Sequence, residues 1–152
     1  MHKFSIVHRL DEHSTHLAHQ LEEALIQFGY EKDEEHPDGV IVIGGDGTFI
    51  YAVHKYLYCL NDIVLIGMHT GTLGFYMDYR DDEIGDFLMD LIPGHLPVEN
   101  YPLLEVTYDD SKYYALNEIR IENPIRTQNI NVLLDDVNFE LFRGTGLCLL
   151  CS

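Results

Sequence analysis

Five consecutive residues, Gly44-Gly45-Asp46-Gly47-Thr48, carry the most chemistry in this chain. Three glycines around one acid make a loop whose backbone can approach a phosphate closely and bind it through N–H groups. The loop follows Val40-Ile41-Val42-Ile43, a short, branched and unbroken apolar run of the kind seen in a strand covered on both faces. Phe49-Ile50-Tyr51-Ala52-Val53, next in line, can enter a helix whose N-terminus would add partial positive charge at the loop. Asp46 repels an anion and so needs a task of its own. It suits a base that takes a proton from an attacking hydroxyl, or a group that helps to hold Mg²⁺. The plainer alternative is a glycine-rich turn capped by an aspartate.

Two further segments offer binding chemistry. Residues 67–76 read Gly67-Met68-His69-Thr70-Gly71-Thr72-Leu73-Gly74-Phe75-Tyr76. Three glycines there allow close approach of a ligand, and Phe75 and Tyr76 offer stacking surface for a base. Taken alone, such a segment is more often a packing loop. Asn117-Glu118 sets an amide beside a carboxylate, a pair that suits sugar hydroxyls or an adenine edge. Alone it is also an ordinary polar pair at a strand end.

The elements that must position these residues follow from periodicity. Phe4-Ser5-Ile6-Val7 reads as a first strand. Ser14 is the expected N-cap of a helix with Leu17, Leu21, Ala24, Leu25 and Phe28 at helical spacing, and Gly29 is its stop. Residues 31–39 are acidic and contain Pro37, as a solvated surface loop does, with room for mobility near a site. A strand over 40–43, the glycine loop and a helix ending near Tyr58 come next. A third strand is expected over 63–66, then the second glycine loop. A helix over 81–91 has Ile84, Phe87, Leu88 and Leu91 on one face, and Pro93-Gly94 ends it. Alternating strands and helices imply a parallel sheet, with ligands beyond the carboxyl ends of the strands. Both glycine loops fall there.

From about His95 the texture changes. Strands are expected over 103–108, 112–117, 130–134 and 137–142, with turns at Asp109-Asp110-Ser111 and Asp135-Asp136. The predicted fold class is therefore α/β: a Rossmann-like parallel-sheet domain over residues 1–95, then the start of a β-rich meander over 96–152.

Composition narrows the partners. The 152 residues carry a net charge of −17, which argues against binding nucleic acid or an anionic membrane surface through a basic face. A phosphorylated small molecule is still compatible, held by loop N–H groups and Mg²⁺. No apolar run approaches the roughly 18–20 residues of a membrane span. Met1-His2-Lys3-Phe4-Ser5 lacks signal-peptide design, and three cysteines make no disulfide framework, so a reducing cytoplasm is expected. Cys148-x-x-Cys151 has redox spacing but sits in an apolar strand, where core thiols are expected. His13, His16 and His19 lack an acid or cysteine to complete a metal shell and read as a solvated helix face, so no metal ligands are assigned.

Taken together, four separated segments resemble the NAD kinase family. They are Gly44 to Thr48, Gly67 to Phe75, Asn117-Glu118, and Phe142-Arg143-Gly144-Thr145-Gly146-Leu147-Cys148, in family order and spacing. Lipid kinases such as the diacylglycerol and sphingosine kinases, and phosphofructokinases, carry similar first loops. The lipid kinases would show a Gly-Thr-x-Asn-Asp-type segment where this chain has Gly71-Thr72-Leu73-Gly74-Phe75. The resemblance implies transfer of the γ-phosphoryl group of ATP, or of polyphosphate, to the 2′-hydroxyl on the adenosine side of NAD, with Mg²⁺ or another divalent cation. It also implies family-type dimers or tetramers. By the same resemblance Asp46 is the general base, and Gly44, Gly45, Gly47 and Thr48 cradle phosphates. Gly74 and Phe75 line an adenine pocket with Tyr76 close by. Asn117 and Glu118 bind adenosine and orient its ribose, and Arg143 belongs to the nucleotide-binding set.

Two departures stand out. Thr145 occupies a place where the family usually has an acid that helps to bind substrate. After Cys148 the family's Thr-Pro-x-Gly-Ser/Thr-Thr-Ala-Tyr-like segment is not matched by Leu149-Leu150-Cys151-Ser152. The chain is thus expected to be a fragment with an incomplete β domain. A nucleotide-binding module without turnover is the alternative to an active kinase.

Overall fold

In the computed structural model, which describes residues 1–71 and 74–151, the apolar run at 40–43 lies in the central strand of a five-stranded parallel sheet. The sheet is built from β1 (Lys3–His8), β2 (Glu31–Lys32), β3 (Gly39–Gly44), β4 (Val64–His69) and β5 (Tyr79–Arg80), in the order β2-β1-β3-β4-β5. Three helices are interleaved: α1 (Glu12–Gln27), α2 (Asp46–Lys55) and α3 (Ile84–Leu91). All six residues of β3 are buried. Its unbroken branched sequence has a direct cause. Ile41 and Ile43 pack with Leu17, Leu21 and Leu25 of α1 and Phe87 and Leu91 of α3. Val40 and Val42 pack on the other side with Ala52 and Tyr56 from α2 and its end. Side chains alternate across a strand, so a strand covered on both faces has no position left for a polar residue.

The order of the sheet reverses between β1 and β3, and a parallel sheet binds its ligands outside the carboxyl ends at such a switch point. In this chain the switch point is the step from Arg9, which follows β1, to Gly44 at the end of β3.

Several local expectations are corrected. Asp11, not Ser14, caps α1: its carboxylate accepts from the Ser14 N–H at 3.0 Å. Ser14 lies a turn inside the helix, fully buried. Helix α2 begins inside the glycine motif, at Asp46, and ends at Lys55. Strand β4 runs on to His69, since Gly67 and Met68 pair with Val42 and Ile43. Helix α3 starts at Ile84, after a turn in which the Arg80 N–H donates to the Glu83 carboxylate at 2.8 Å.

The acidic segment contains the short β2 and is pinned rather than loose. Asp33 pairs with Lys3 at 2.8 Å, Asp38 accepts from the His2 and Lys3 N–H groups, and the Tyr58 hydroxyl donates to the Glu35 carbonyl at 2.6 Å. The Lys3 and His2 anchors lie at the amino end of β1, opposite the strand ends that carry the glycine loops.

The chain divides into two compact units, Met1–Glu99 and a second from Asn100 onward. The second contains β6 (Leu104–Tyr108), β7 (Ser111–Ala115), β8 (Glu118–Glu122), β9 (Gln128–Leu134), β10 (Val137–Gly144) and β11 (Gly146–Leu150). Hairpins β6–β7 and β9–β10 turn where expected, with Asp109, Asp135 and Asp136 at positive φ. Two successive positive-φ residues at 135–136 suit the twist of a two-residue hairpin turn.

It is not a simple meander. The chain bends at Leu116-Asn117, and β8, absent from the sequence expectation, pairs antiparallel with β11 around the β9–β10 hairpin. Cys148 on β11 is exposed and Cys151 half-buried, its thiol donating to the Pro102 carbonyl at 3.2 Å, so these are not core thiols. Among the described residues strand β11 has β8 alone beside it, and Cys148, Leu149 and Leu150 are exposed. No helix among the described residues is long and apolar enough to cross a membrane.

Candidate functional site

Gly45 is the N-cap of α2 and makes no side-chain cap bond. In the first turn of the helix the Thr48 N–H donates to the Gly45 carbonyl at 2.8 Å, which leaves the Asp46 and Gly47 N–H groups without an intrahelical partner. Glycine is required at 44 by space. A Cβ there would stand 2.9 Å from the Thr48 Cβ and 3.3 Å from the Arg9 Cβ. The Arg9 N–H donates to the Ile43 carbonyl at 2.9 Å, which continues the β1–β3 ladder one step and brings Arg9 alongside the Gly44–Gly45 turn.

Asp46 does not cap its own helix. Its two carboxylate oxygens reach the second glycine loop, accepting from the Phe75 N–H at 3.0 Å and the Tyr76 N–H at 3.2 Å. The Tyr76 ring stacks on Phe49 of α2 with centroids 5.2 Å apart. The same loop is tied down on either side. The Thr70 N–H donates to the Gly44 carbonyl at 3.0 Å, and the buried Ser14 and Thr70 hydroxyls share a hydrogen bond of 2.7 Å. The Gly67 N–H donates to the Asp78 carboxylate and the Asp78 N–H to the Gly67 carbonyl, each at 2.9 Å. Burial pushes the Asp78 carboxyl above the usual carboxylate range, against the lowering effect of the Gly67 N–H. Phe75 is 94% exposed, its ring open to a planar partner. Thr72 and Leu73, part of the expected loop, lie outside the described residues.

No model of a known protein family matches the chain. Its sequence is 39% identical to NAD kinase 1 of Bacillus cereus over an alignment of 153 residues, covering 97% of this chain and 58% of that protein. It is also 39% identical to the NAD kinase of Geobacillus stearothermophilus, covering 96% of this chain and 56% of that one. By sequence, this chain is similar to NAD kinases over almost its whole length. It spans a little over half the length of these relatives. The fold agrees. A crystal structure of an NAD kinase from Archaeoglobus fulgidus in complex with ATP superposes with a TM-score of 0.77 at 23% identity, over 97% of this chain and 60% of that one. Yeast NADH kinase complexed with NADH gives 0.69 at 15% identity, over 99% and 57%. The relatives' names favour the NAD kinases over the lipid kinases that share the first loop.

Within the α/β unit, Gly44, Gly45, Asp46, Gly47, Thr48, Gly74, Phe75 and Tyr76 all belong to the two facing loops and the start of α2. The other residues singled out by sequence belong to the β unit. Asn117 lies at the bend before β8, its carbonyl accepting from the Cys151 N–H at 2.7 Å. Glu118 opens β8 and pairs with Arg120 at 2.6 Å. Arg143 lies near the end of β10, its guanidinium donating to the Thr127 hydroxyl at 3.2 Å.

Sequence reading passed over Arg9. Its guanidinium Nε is paired with Asp11 at 2.6 Å, while the side chain stays 55% exposed beside the glycine turn. A cation placed just after the first strand of a switch-point sheet is a signal that could have been used.

Proposed function

We propose that the chain carries the phosphoryl-transfer chemistry of an NAD kinase, moving the γ-phosphoryl group of ATP to the 2′-hydroxyl of the adenosine ribose of NAD. The observation that supports this best is the position of Asp46, a carboxylate at the carboxyl end of the central strand between two glycine loops. In the reaction a bond forms between the 2′-oxygen and the γ-phosphorus as the bond to the bridging β,γ-oxygen breaks. ADP leaves with that electron pair, and the hydroxyl proton goes to Asp46. A ribose hydroxyl is a weak nucleophile, so a carboxylate within reach of its proton has a clear role. Phosphoryl transfer otherwise asks for positioning and charge neutralisation. The N–H groups at the start of α2, the Gly44–Gly45 turn, Thr48 and the Arg9 guanidinium suit the phosphates. Phe75 and Tyr76 offer surface to the adenine.

For the β unit, the same reading assigns Asn117 and Glu118 to adenosine and Arg143 to nucleotide binding, on their match to the family motifs. Among the described residues no cluster of three or more His, Cys, Asp or Glu side chains is arranged for a metal. A divalent cation such as Mg²⁺ belongs to this reading as a companion of the ATP phosphates, with Asp46 the carboxylate at hand, and when bound it would neutralise phosphate charge. NAD and ATP or polyphosphate as partners, a cytoplasmic setting and a dimer or tetramer belong to the same reading. The charge of −17 supports small-molecule rather than nucleic-acid or membrane partners.

The test is NADP formation by the 152-residue chain with NAD, ATP and Mg²⁺, followed by NMR. Turnover that needs both substrates supports the reading, and Asp46→Asn should lower it by roughly 10²-fold or more without loss of fold. An Asp46→Asn protein with near-normal turnover would sink the base assignment. NAD bound without turnover would point to a nucleotide-binding module instead.

A further inference from the structure

The loop that follows β4 has a role at Asp46 that the adenine-pocket assignment does not contain. Three independent observations meet there. Both oxygens of Asp46 accept peptide N–H groups, from Phe75 and Tyr76. A Cβ on Gly74 would lie 2.8 Å from the Asp46 Cγ and closer still to its Oδ1, so the carboxylate occupies the space that any other residue at 74 would need. The loop is also anchored to β4: two hydrogen bonds join Gly67 to Asp78, and the Met77 backbone packs so closely on Gly67 that a Cβ there would stand 2.9 Å from the Met77 Cα.

We infer that Gly74 and the peptide N–H groups of Phe75 and Tyr76 form a clamp that sets the orientation of Asp46, making Gly74 a positioning residue for the carboxylate and not a wall of the adenine pocket. The function of Asp46 rests on the kinase reading; the clamp itself does not.

The arrangement is chemically consistent with a base. An ionised carboxylate has about four lone-pair sites. Two are taken by the N–H groups, which fix the plane of the carboxylate, and two are left for a hydroxyl proton. The alternative, a carboxylate at the helix start that bonds its own first-turn amides, is not what the structure has. A side chain held from the facing loop loses little further rotamer freedom when substrate arrives, the kind of pre-organisation that proximity catalysis requires. The clamp also joins the two glycine loops, so a nucleotide that moves Phe75 or Tyr76 moves the carboxylate with them.

Amide hydrogen exchange on the ¹⁵N-labelled 152-residue chain tests this without any turnover, which keeps its failure separate from failure of the kinase reading. In the unsubstituted chain the Phe75 and Tyr76 amides should exchange at least about 10-fold more slowly than unstructured amides. That protection should disappear in Asp46→Ala and Gly74→Ala and persist in Phe75→Ala, which keeps the peptide N–H. The amides of Gly67 and Thr70, bonded to Asp78 and to the Gly44 carbonyl, report in every variant that the fold is intact. Unprotected Phe75 and Tyr76 amides in the parent chain, or protection that survives Asp46→Ala, would overturn the clamp. The kinetic counterpart is a split. Gly74→Ala should lower kcat at least about 10-fold with KM within about twofold, as loss of a transition-state arrangement does. A raised KM at unchanged kcat would restore the adenine-wall assignment.

Discussion

The two units of this chain treat their apolar residues in opposite ways. Between Met1 and Glu99 the sheet is covered on both faces, and Phe4, Leu21, Leu25, Ile41, Ile43, Met68 and Phe87 are wholly buried. From Asn100 on, the buried apolar core among the described residues reduces to Leu116, while Leu134, Val137, Phe139, Leu141 and Leu150 are exposed. The difference is one of layers. A parallel sheet must carry helices on its faces to connect its strands, and those helices bring the second layer that a core needs. Three two-stranded antiparallel pairs, two of them hairpins of consecutive strands, supply no such layer, and pairs of this size are marginal alone. The Asp46 site belongs to the unit with the core, where a clamp on a side chain can be held against thermal motion.

The sharpest way to break this comparison is to truncate one large apolar side chain in each unit. Phe87, fully buried under the sheet and edge-on to Tyr79 at 5.3 Å, should cost about 3–5 kcal/mol when changed to Ala. Leu141, 71% exposed on β10, should cost no more than about 0.5 kcal/mol on the same change. The chain has no tryptophan, so urea unfolding followed by far-UV circular dichroism is the suitable measurement. Equal losses in the two variants would mean that the exposed face of β10 is packed in solution and that the contrast between the units is false.

How far the sequence reveals this contrast depends on whether the cause is local. The strand at 40–43 and the loop after it are legible because burial on two faces leaves an unmistakable apolar run. The hairpin turns at Asp109 and Asp135 are legible because positive φ selects a small set of residues. The β8–β11 pairing is not. Glu118-Ile119-Arg120-Ile121-Glu122 does alternate as a strand should, but its partner lies beyond an entire hairpin, and no local signal names it. The same holds at the site. The types of Asp46 and its neighbours are enough to single out the loop, whereas the bonds to Phe75 and Tyr76, some 30 positions away, depend on how closely β3 and β4 bring their ends together. The burial of Ser14 against Thr70 is likewise invisible to helical periodicity, which reads a serine near a helix start as a cap.

Acid should also separate the units. In the α/β unit the carboxyls of Asp11, Asp38 and Asp81 lie below the usual range: Asp11 through the Ser14 N–H first, Asp38 through the His2 and Lys3 N–H groups, Asp81 through His13. Asp33 is held down to about 2, by Lys3 first and then the His36 N–H. A lowered carboxyl contributes stability that is complete above its unfolded value of 3.8 and disappears as pH falls through the folded one. Asp78, raised by burial, acts in the opposite sense, its ionised form disfavoured in the folded chain. Four against one, the α/β unit should lose stability between about pH 4 and pH 2. In the β unit Glu105 is the lowered carboxyl, through Tyr114 and Lys112. Amide cross-peaks of β3, followed by NMR from about pH 5 to about pH 2, should therefore weaken more steeply than those of β9 and β10. Parallel loss in both units would show that these surface pairs contribute little beyond screening.

The smallest predicted effect tests the corrected helix start, and through it the anchoring of the site. Asp11 and Ser14 are both good capping residues, and they sit three positions apart, so substitution distinguishes what each one does. Removing the Asp11 carboxylate takes away the bond to the Ser14 N–H and the pair with Arg9, and Asp11→Ala should fray the first turn of α1 and little else. Ser14→Ala leaves the cap in place but strips the buried Thr70 hydroxyl of its partner, a loss of about 1–3 kcal/mol for an unsatisfied buried group. Its consequence lies elsewhere, because Thr70 is tied through its N–H to Gly44, the first glycine of the Asp46 loop. Exchange at the Thr70 amide should therefore quicken in Ser14→Ala and stay unchanged in Asp11→Ala. If instead Asp11→Ala alone loosens Thr70, the helix end and not the buried hydroxyl pair holds the second glycine loop against the first helix.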